Sequence, residues 1–170
     1  MWEHQALVRS RAVYGNAALV AEFNRVRAEV LSESREIHTL AKSVVDMRDK
    51  MRKHLLRGTV EQFDLKQSAG GMIDIEFIAQ FMVLAYAAQQ PALLTRWSDN
   101  VRIFESCVDA GLMTEEEAMT LKKAYLAIRD RAHRCTLSGV TRIIDGHELE
   151  TERQAVEMLW RKLLESQLSA

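Results

Sequence analysis

Apolar residues recur at three- and four-residue intervals along most of the chain, the period of helices that turn one face inward. The clearest stripe runs from Arg35 to about Leu56, with Ile37, Leu40, Val44, Met47, Met51 and Leu55 on one side. Between Ile73 and Gln89 the apolar set Ile75, Phe77, Ile78, Phe81, Met82, Leu84 and Ala85 spreads around much of the circumference, which predicts a central, buried helix. Weaker periods predict the remaining helices. Glu3 to Tyr14 turns Ala6, Leu7 and Val13 inward and stops at Gly15; Asn16 then caps a helix to about Leu31, with Leu19, Phe23, Val26 and Val30 inside. Ser32-Glu33-Ser34 is a break. Beyond the crossing at Pro91-Leu94, Thr95 or Ser98 caps a helix with Val101, Phe104 and Val108 inward and Gly111 at its end. Thr114-Glu117 is a capping box, and it opens a seam of Ala118, Leu121, Tyr125, Ile128, Ala132 and Cys135. Residues 139–150 are the least regular. Thr151-Gln154 reads as a second capping box, starting a last helix with Val156, Leu159, Trp160 and Leu163 inward.

These elements predict an all-α fold, a bundle of about six to seven helices with at most a short extended piece near 60–66. One proline and seven glycines in 170 residues agree with long uninterrupted helices. The length suits a single domain over 1–170 that buries its core without disulfides or metals. With 23 basic against 24 acidic residues, the chain has no global field to attract nucleic acid or an anionic membrane. No apolar run reaches the length of a membrane span, and no charged-then-apolar leader opens the chain. Cys107 and Cys135 lack a CxxC partner or a histidine at ligand spacing, which points to free thiols in a reducing cytoplasm.

Charged positions sort mostly into surface roles. Arg48, Lys50, Arg52, Lys53 and Arg57 face Asp49 alone, and they are read as solvated cations that complement a helix C-terminus. Asp74 and Glu76 differ by about 200° around a helix, so they form no carboxylate pair on one face. Glu76 sits among apolar neighbours and, if buried, needs a partner such as Arg96 or Arg102. His133 falls beside the seam as a surface or boundary histidine.

The most distinctive stretch is Phe63-Asp64-Leu65-Lys66-Gln67-Ser68-Ala69-Gly70-Gly71-Met72-Ile73-Asp74-Ile75-Glu76-Phe77, where a charged extended segment passes through paired glycines into the apolar helix. Gly70-Gly71 permit a sharp turn and a close backbone approach, and a helix start just beyond them favours an anion. A tight helix entry with Lys66 merely solvated is the simpler account. The word closely resembles a segment of the bacterial glutamine synthetase adenylyltransferase family. Trp2-Gly15 and Thr95-Arg102 resemble two further segments of that family, in the same order. That resemblance implies an enzyme that moves AMP from ATP to a tyrosine of glutamine synthetase and removes it by phosphorolysis, with magnesium held by an Asp-x-Asp pair after a Gly-Ser turn. Neither feature occurs in this sequence, nor does a Gly-x-Ser-x-Gly, HExxH or Walker motif.

The chain is therefore expected to be a non-catalytic helical domain that follows the carboxy-terminal nucleotidyltransferase domain of a longer protein, since it opens at Met1-Trp2-Glu3 part-way into a matching segment. Expected partners are that domain, glutamine synthetase and the PII signalling protein. Expected cofactors are ATP and Mg2+ in the parent enzyme, with no catalytic residue and no metal ligand here. Candidate nucleotide contacts are Arg9, Arg11, Lys66, Gly70 and Gly71. Arg9 and Arg11 lie about 200° apart on a helix, so at most one faces a given ligand. A helical domain that docks glutamine synthetase or PII without touching nucleotide is the alternative, and an accessory domain of a related uridylyltransferase a third.

Overall fold

A computed structural model describes residues 2–59 and 61–168; Met1, and Val60 at the edge of the expected extended piece, lie outside them. Among the described residues the chain forms eight α-helices: α1 Trp2–Arg9, α2 Ala17–Leu31, α3 Ile37–Leu55, α4 Met72–Tyr86, α5 Pro91–Leu94, α6 Asn100–Asp109, α7 Glu115–Leu137 and α8 Glu150–Leu163. A 3₁₀ turn Glu165–Leu168 follows. The expected extended piece is a three-residue strand, β1 Gln62–Asp64, paired antiparallel with β2 Ile143–Asp145 in the register Phe63 opposite Ile144. The bundle is mostly helical as the periodicity predicts. The strand pair, formed by residues about eighty apart in sequence, was not visible in it.

Helix α4 is the hub, packed by α1, α3, α6, α7 and α8. Every residue from Ile73 to Ala85 is buried except Glu76, so this helix carries apolar side chains on all sides and has almost no amphipathic face. Among the described residues no helix is long and apolar enough to cross a membrane. Cys107 and Cys135 are both buried, on α6 and α7, and burial pushes the Cys107 thiol up to about 12.

Several boundaries differ from the periodic expectation, each for a local reason. Helix α1 ends at Arg9, where the Ser10 N–H closes on the Leu7 carbonyl and the Ser10 hydroxyl on Ala6. Val13 and Tyr14 are consequently 85% and 99% exposed, and Gln5 and Val8 take the inner positions. Asn16 does cap α2. Its inner face, however, is Arg27 and Leu31, while Leu19 and Val26 are exposed. The Arg27 guanidinium donates to the carbonyls of Leu7, Val8, Thr95 and Trp97, tying the end of α1 to the end of α5. Asp99, not Thr95 or Ser98, caps α6. The Thr114/Glu117 capping box forms as read. The Thr151 box does not: α8 starts earlier, after Leu149 in a left-handed conformation, because the turn leaving β2 feeds straight into it.

Candidate functional site

The segment 61–76 is built from the inside outward. Phe63 on β1 is fully buried under the Arg153 guanidinium, 4.5 Å from the ring centroid. The next residue, Asp64, uses one carboxylate oxygen to accept from the backbone N–H of Lys66 (3.0 Å) and Gln67 (3.1 Å) and from Arg142 Nε (2.9 Å). That is an aspartate turn, and it sets the direction of the chain at Lys66. Ser68 closes the loop, accepting from the Asp64 N–H through its hydroxyl and donating back to the Asp64 carbonyl.

The two glycines then do different things. Gly70 has φ +71°, and its Cα faces the Arg153 backbone so closely that a Cβ would lie 2.5 Å from the Arg153 carbonyl oxygen. Gly71, the N-cap of α4, has an ordinary φ of −82°. It is required by closeness, since a Cβ there would meet the Ser68 carbonyl at 2.9 Å. Of the pair, Gly70 alone takes the left-handed backbone.

Under this turn lies Arg48, four residues on from Val44 on the buried side of α3. It was read as solvated, yet it is wholly buried. It forms an ion pair with Asp74 of α4 and donates to the Gln67 carbonyl at 2.8 Å. Asp74 also accepts from the Gly70 N–H at 2.8 Å and pairs with Arg52 at 3.3 Å. Burial draws the Arg48 pKa down, opposed by the Asp74 charge. The α4 N-terminal N–H groups are not directed at solvent: Met72 donates to Leu65, Ile73 to Lys66 and Asp74 to Gly71. The helix start therefore satisfies itself, and what the turn offers outward is side chains.

Lys66 is exposed at its apex. It lines two cavities, and Glu76, the position between Ile73 and Ala85 that is not buried, lines both with it. The larger, about 310 Å³, adds Tyr125, Arg129 and His133 from α7, and Arg142. Neither the Lys66 ammonium nor the Arg129 guanidinium has an ion-pair partner among the described residues. Two unpaired cations beside Arg142, against the Glu76 carboxylate in the same wall, make this cavity suited to a polyanion. The smaller, about 240 Å³, lies between α1 and α4 and is mainly apolar, with Gln5 and Gln80 in its wall.

Of the five residues singled out from sequence, Lys66, Gly70 and Gly71 come together in the turn. Arg9 reaches the same place indirectly, 3.8 Å from Glu76 and bonded to Asn100. It is the partner of Glu76, whereas Arg96 and Arg102 both lie over the Trp97 ring, at 4.8 and 4.2 Å. Arg11 lies exposed beyond the end of α1, so the 200° separation on a shared helix does not apply to it. Arg129, Arg142 and the two glutamines carried no local signal, since the contacts that place them are made across the fold. For magnesium the fit is poor: among the described residues no three His, Cys, Asp or Glu side chains group to hold a metal.

Residues 44–142 match the family model described as GlnD PII-uridylyltransferase. The chain is 53% identical over 164 residues to the bifunctional glutamine synthetase adenylyltransferase/adenylyl-removing enzyme of Psychromonas ingrahamii, covering 96% of this chain and 17% of that one. It is 50% identical over 164 residues to the enzyme of the same name from Pasteurella multocida, covering 96% of this chain and 16% of the relative. The chain thus spans under a fifth of the curated relatives it matches.

Proposed function

The chain belongs to the glutamine synthetase adenylyltransferase family, within the group covered by the GlnD PII-uridylyltransferase model, and from that premise we propose that it is a non-catalytic helical domain beside a nucleotidyltransferase domain. Its part is to hold phosphate oxygens while AMP is moved between ATP and a tyrosine of glutamine synthetase, in the control of nitrogen assimilation in the cytoplasm. The adenylyltransferase reading is preferred to the uridylyltransferase one because both relatives at about half identity carry the former name.

One observation supports this reading above the others: Lys66 is an exposed, unpaired cation on a backbone fixed by a buried ion pair, and it faces a cavity shared with Arg129 and Arg142. Cations held in place before the ligand arrives stabilise charge that develops on transferred phosphate without reorganising. Lys66 and Arg129 neutralise phosphate oxygens, Arg142 is oriented by Asp64, and Glu76 holds Arg9 at the rim. Among the described residues there is no ligand set for magnesium, so no part of this role is assigned to the metal. Gly70 and Gly71 shape the turn, and Arg11 is left as a contact made from the segment between α1 and α2.

A second reading, docking of glutamine synthetase or PII without nucleotide, is favoured by Val13, Tyr14 and Leu19, which stand 85%, 99% and 71% exposed in one short stretch. The two readings separate in a nucleotide titration. We expect the transferase domain joined to this chain to bind ATP more tightly than the transferase domain alone, with the gain lost in Lys66→Ala/Arg129→Ala. Equal affinity with and without this chain would leave the docking reading.

A further inference from the structure

Arg96 and Arg102 set their guanidinium groups against one partly exposed ring, 4.8 and 4.2 Å from the Trp97 centroid. Both arginines are exposed, and neither guanidinium donates a hydrogen bond among the described residues. Arg96 has no ion-pair partner there. Arg102 has Asp99, whose Oδ2 stands 3.9 Å from Nε, too far for a hydrogen bond, while Oδ1 caps α6 by accepting from the Arg102 backbone N–H at 3.1 Å. Each cation is attracted by the indole face and repelled by the other cation, so the arrangement gains when an anion joins it. The end of α1 adds to this surface. The Arg27 guanidinium bridges the Val8 and Trp97 carbonyls at 2.7 and 3.1 Å, and Arg9 bonds Asn100 at the start of α6. Arg11, two residues on, is exposed and unpaired among the described residues. With Arg9 balanced by Glu76, the charges left at this end are Arg11, Arg96 and Arg102 against Asp99.

We propose that this surface docks an acidic polypeptide segment, with the Arg96 and Arg102 forks taking carboxylates on Trp97 and Arg11 taking another beside them. A guanidinium fork matches a carboxylate in a paired bond, and Arg and Trp are the residues that dominate protein interfaces. The backbone beneath them is fixed before any partner arrives. Arg27 holds the Thr95 and Trp97 carbonyls, the Thr95 hydroxyl closes on the Pro91 carbonyl at 2.9 Å, and Asp99 caps α6. Docking therefore orders side chains and no loop, which lowers its cost. A protein segment is preferred to single-stranded nucleic acid on two grounds. The whole chain carries a net charge of −1, and a lone indole provides no row of platforms for successive bases. None of Arg11, Arg96, Trp97 and Arg102 lines the phosphate cavity, so the inference stands apart from the function proposed above.

The test is an NMR titration of this 170-residue chain with an oligo-glutamate peptide, beside oligo-glutamine and an oligothymidylate of the same charge as the acidic peptide. Oligo-glutamate should shift the Trp97 indole N–H and the Arg96 and Arg102 Nε–H signals, with an affinity that falls as salt is added. Arg96→Gln/Arg102→Gln should weaken that binding at least about tenfold, as expected for losing a charge-assisted contact. Its melting temperature should match the parent's, because both side chains are exposed. Arg96→Gln alone is a second variant if the pair disturbs folding. Trp97→Leu keeps both charges and should also weaken binding, since the forks lose the ring that holds them. Lys66→Ala/Arg129→Ala should leave the Trp97 response as in the parent. No shift at Trp97, unchanged binding in Arg96→Gln/Arg102→Gln, or binding of oligo-glutamine or oligothymidylate at the same signals as tightly as oligo-glutamate would each overturn the proposal. A Trp97 response lost in Lys66→Ala/Arg129→Ala would overturn it too, by assigning the peptide to the phosphate cavity. Failure here with Lys66-dependent binding of ATP intact would leave the proposed function standing.

Discussion

Arg48 of α3 and Asp74 of α4 form an ion pair in the interior, 0% and 2% exposed, and the turn that carries Lys66 hangs on it. Arg48 holds the Gln67 carbonyl from one side, and Asp74 holds the Gly70 N–H from the other. Removing one partner strands a buried charge, which costs about 3–5 kcal/mol. Arg48→Met should therefore lose stability on that scale in denaturant unfolding. The double variant Arg48→Met/Asp74→Leu should lose less than the sum of the singles, since it strands no fully buried charge; it leaves the Gln67 carbonyl and the Gly70 N–H unpaired and takes one carboxylate from the part-exposed Arg52. Additive losses, or a loss under about 1 kcal/mol for Arg48→Met, would mean that the pair does not support the turn.

Gly70 and Gly111 share the same φ of +71° in very different surroundings. An alanine Cβ at 111 meets nothing within 4 Å, and one at 70 meets the Arg153 carbonyl at 2.5 Å. Gly111→Ala should thus cost only the left-handed backbone term, about 1–2 kcal/mol. Gly70→Ala should cost clearly more, since α8 must also move away from the turn. Equal melting temperatures for the two variants would show that the approach of Arg153 to the turn is slack.

Glu117 closes the α7 capping box and pairs with Lys162 of α8 at 2.6 Å. Burial alone raises its pKa, but hydrogen bonds from Lys162 and Thr114 outweigh it, so the carboxyl sits below its ordinary 4.5. A carboxyl depressed on folding contributes stability at pH values above 4.5 and loses it as pH falls through the lower, folded value. Glu117→Gln retains the capping geometry and removes the charge. It should be less stable than the parent at pH 7, by about 0.3–1 kcal/mol given the exposed Lys162. The difference should shrink as the pH drops under 4.5 and vanish below the folded value; a gap that persists there would assign the effect to packing.

What was legible in the chain followed how local its causes are. Thr114 and Glu117 are one turn apart and satisfy each other, so the cap could be read directly. Thr151 has the same spelling, yet the route out of β2 decides where α8 begins, and β2 exists only because β1 pairs with it. Arg48 stood in a run of cations and looked solvated; its carboxylate is 26 positions away, and a strict count of four from Leu40 and Val44 was the faint signal for its burial. The glycine turn into α4 was legible because its residues form one continuous word. Asp64 meets Arg142 across 78 positions, a pairing that no local spacing announces.

Lys66 then carries the sharpest prediction for the proposed function. Its side chain is exposed and unpaired among the described residues, so truncation removes no packing and no internal ion pair. Lys66→Ala should leave the melting temperature within the error of measurement. If the ammonium binds phosphate, the variant loses a charge-assisted contact of about 1.5–3 kcal/mol, roughly a ten- to hundredfold fall in affinity for tripolyphosphate or ATP. Because the cavity is open to solvent, the wild-type affinity should fall with added salt, and the Lys66→Ala/Arg129→Ala variant should show a flatter dependence. A variant that binds tripolyphosphate as the parent does, with the same response to salt, would reduce Lys66 to a solvated cation on a tight helix entry. One that unfolds would show that the lysine supports the turn and does not serve a ligand.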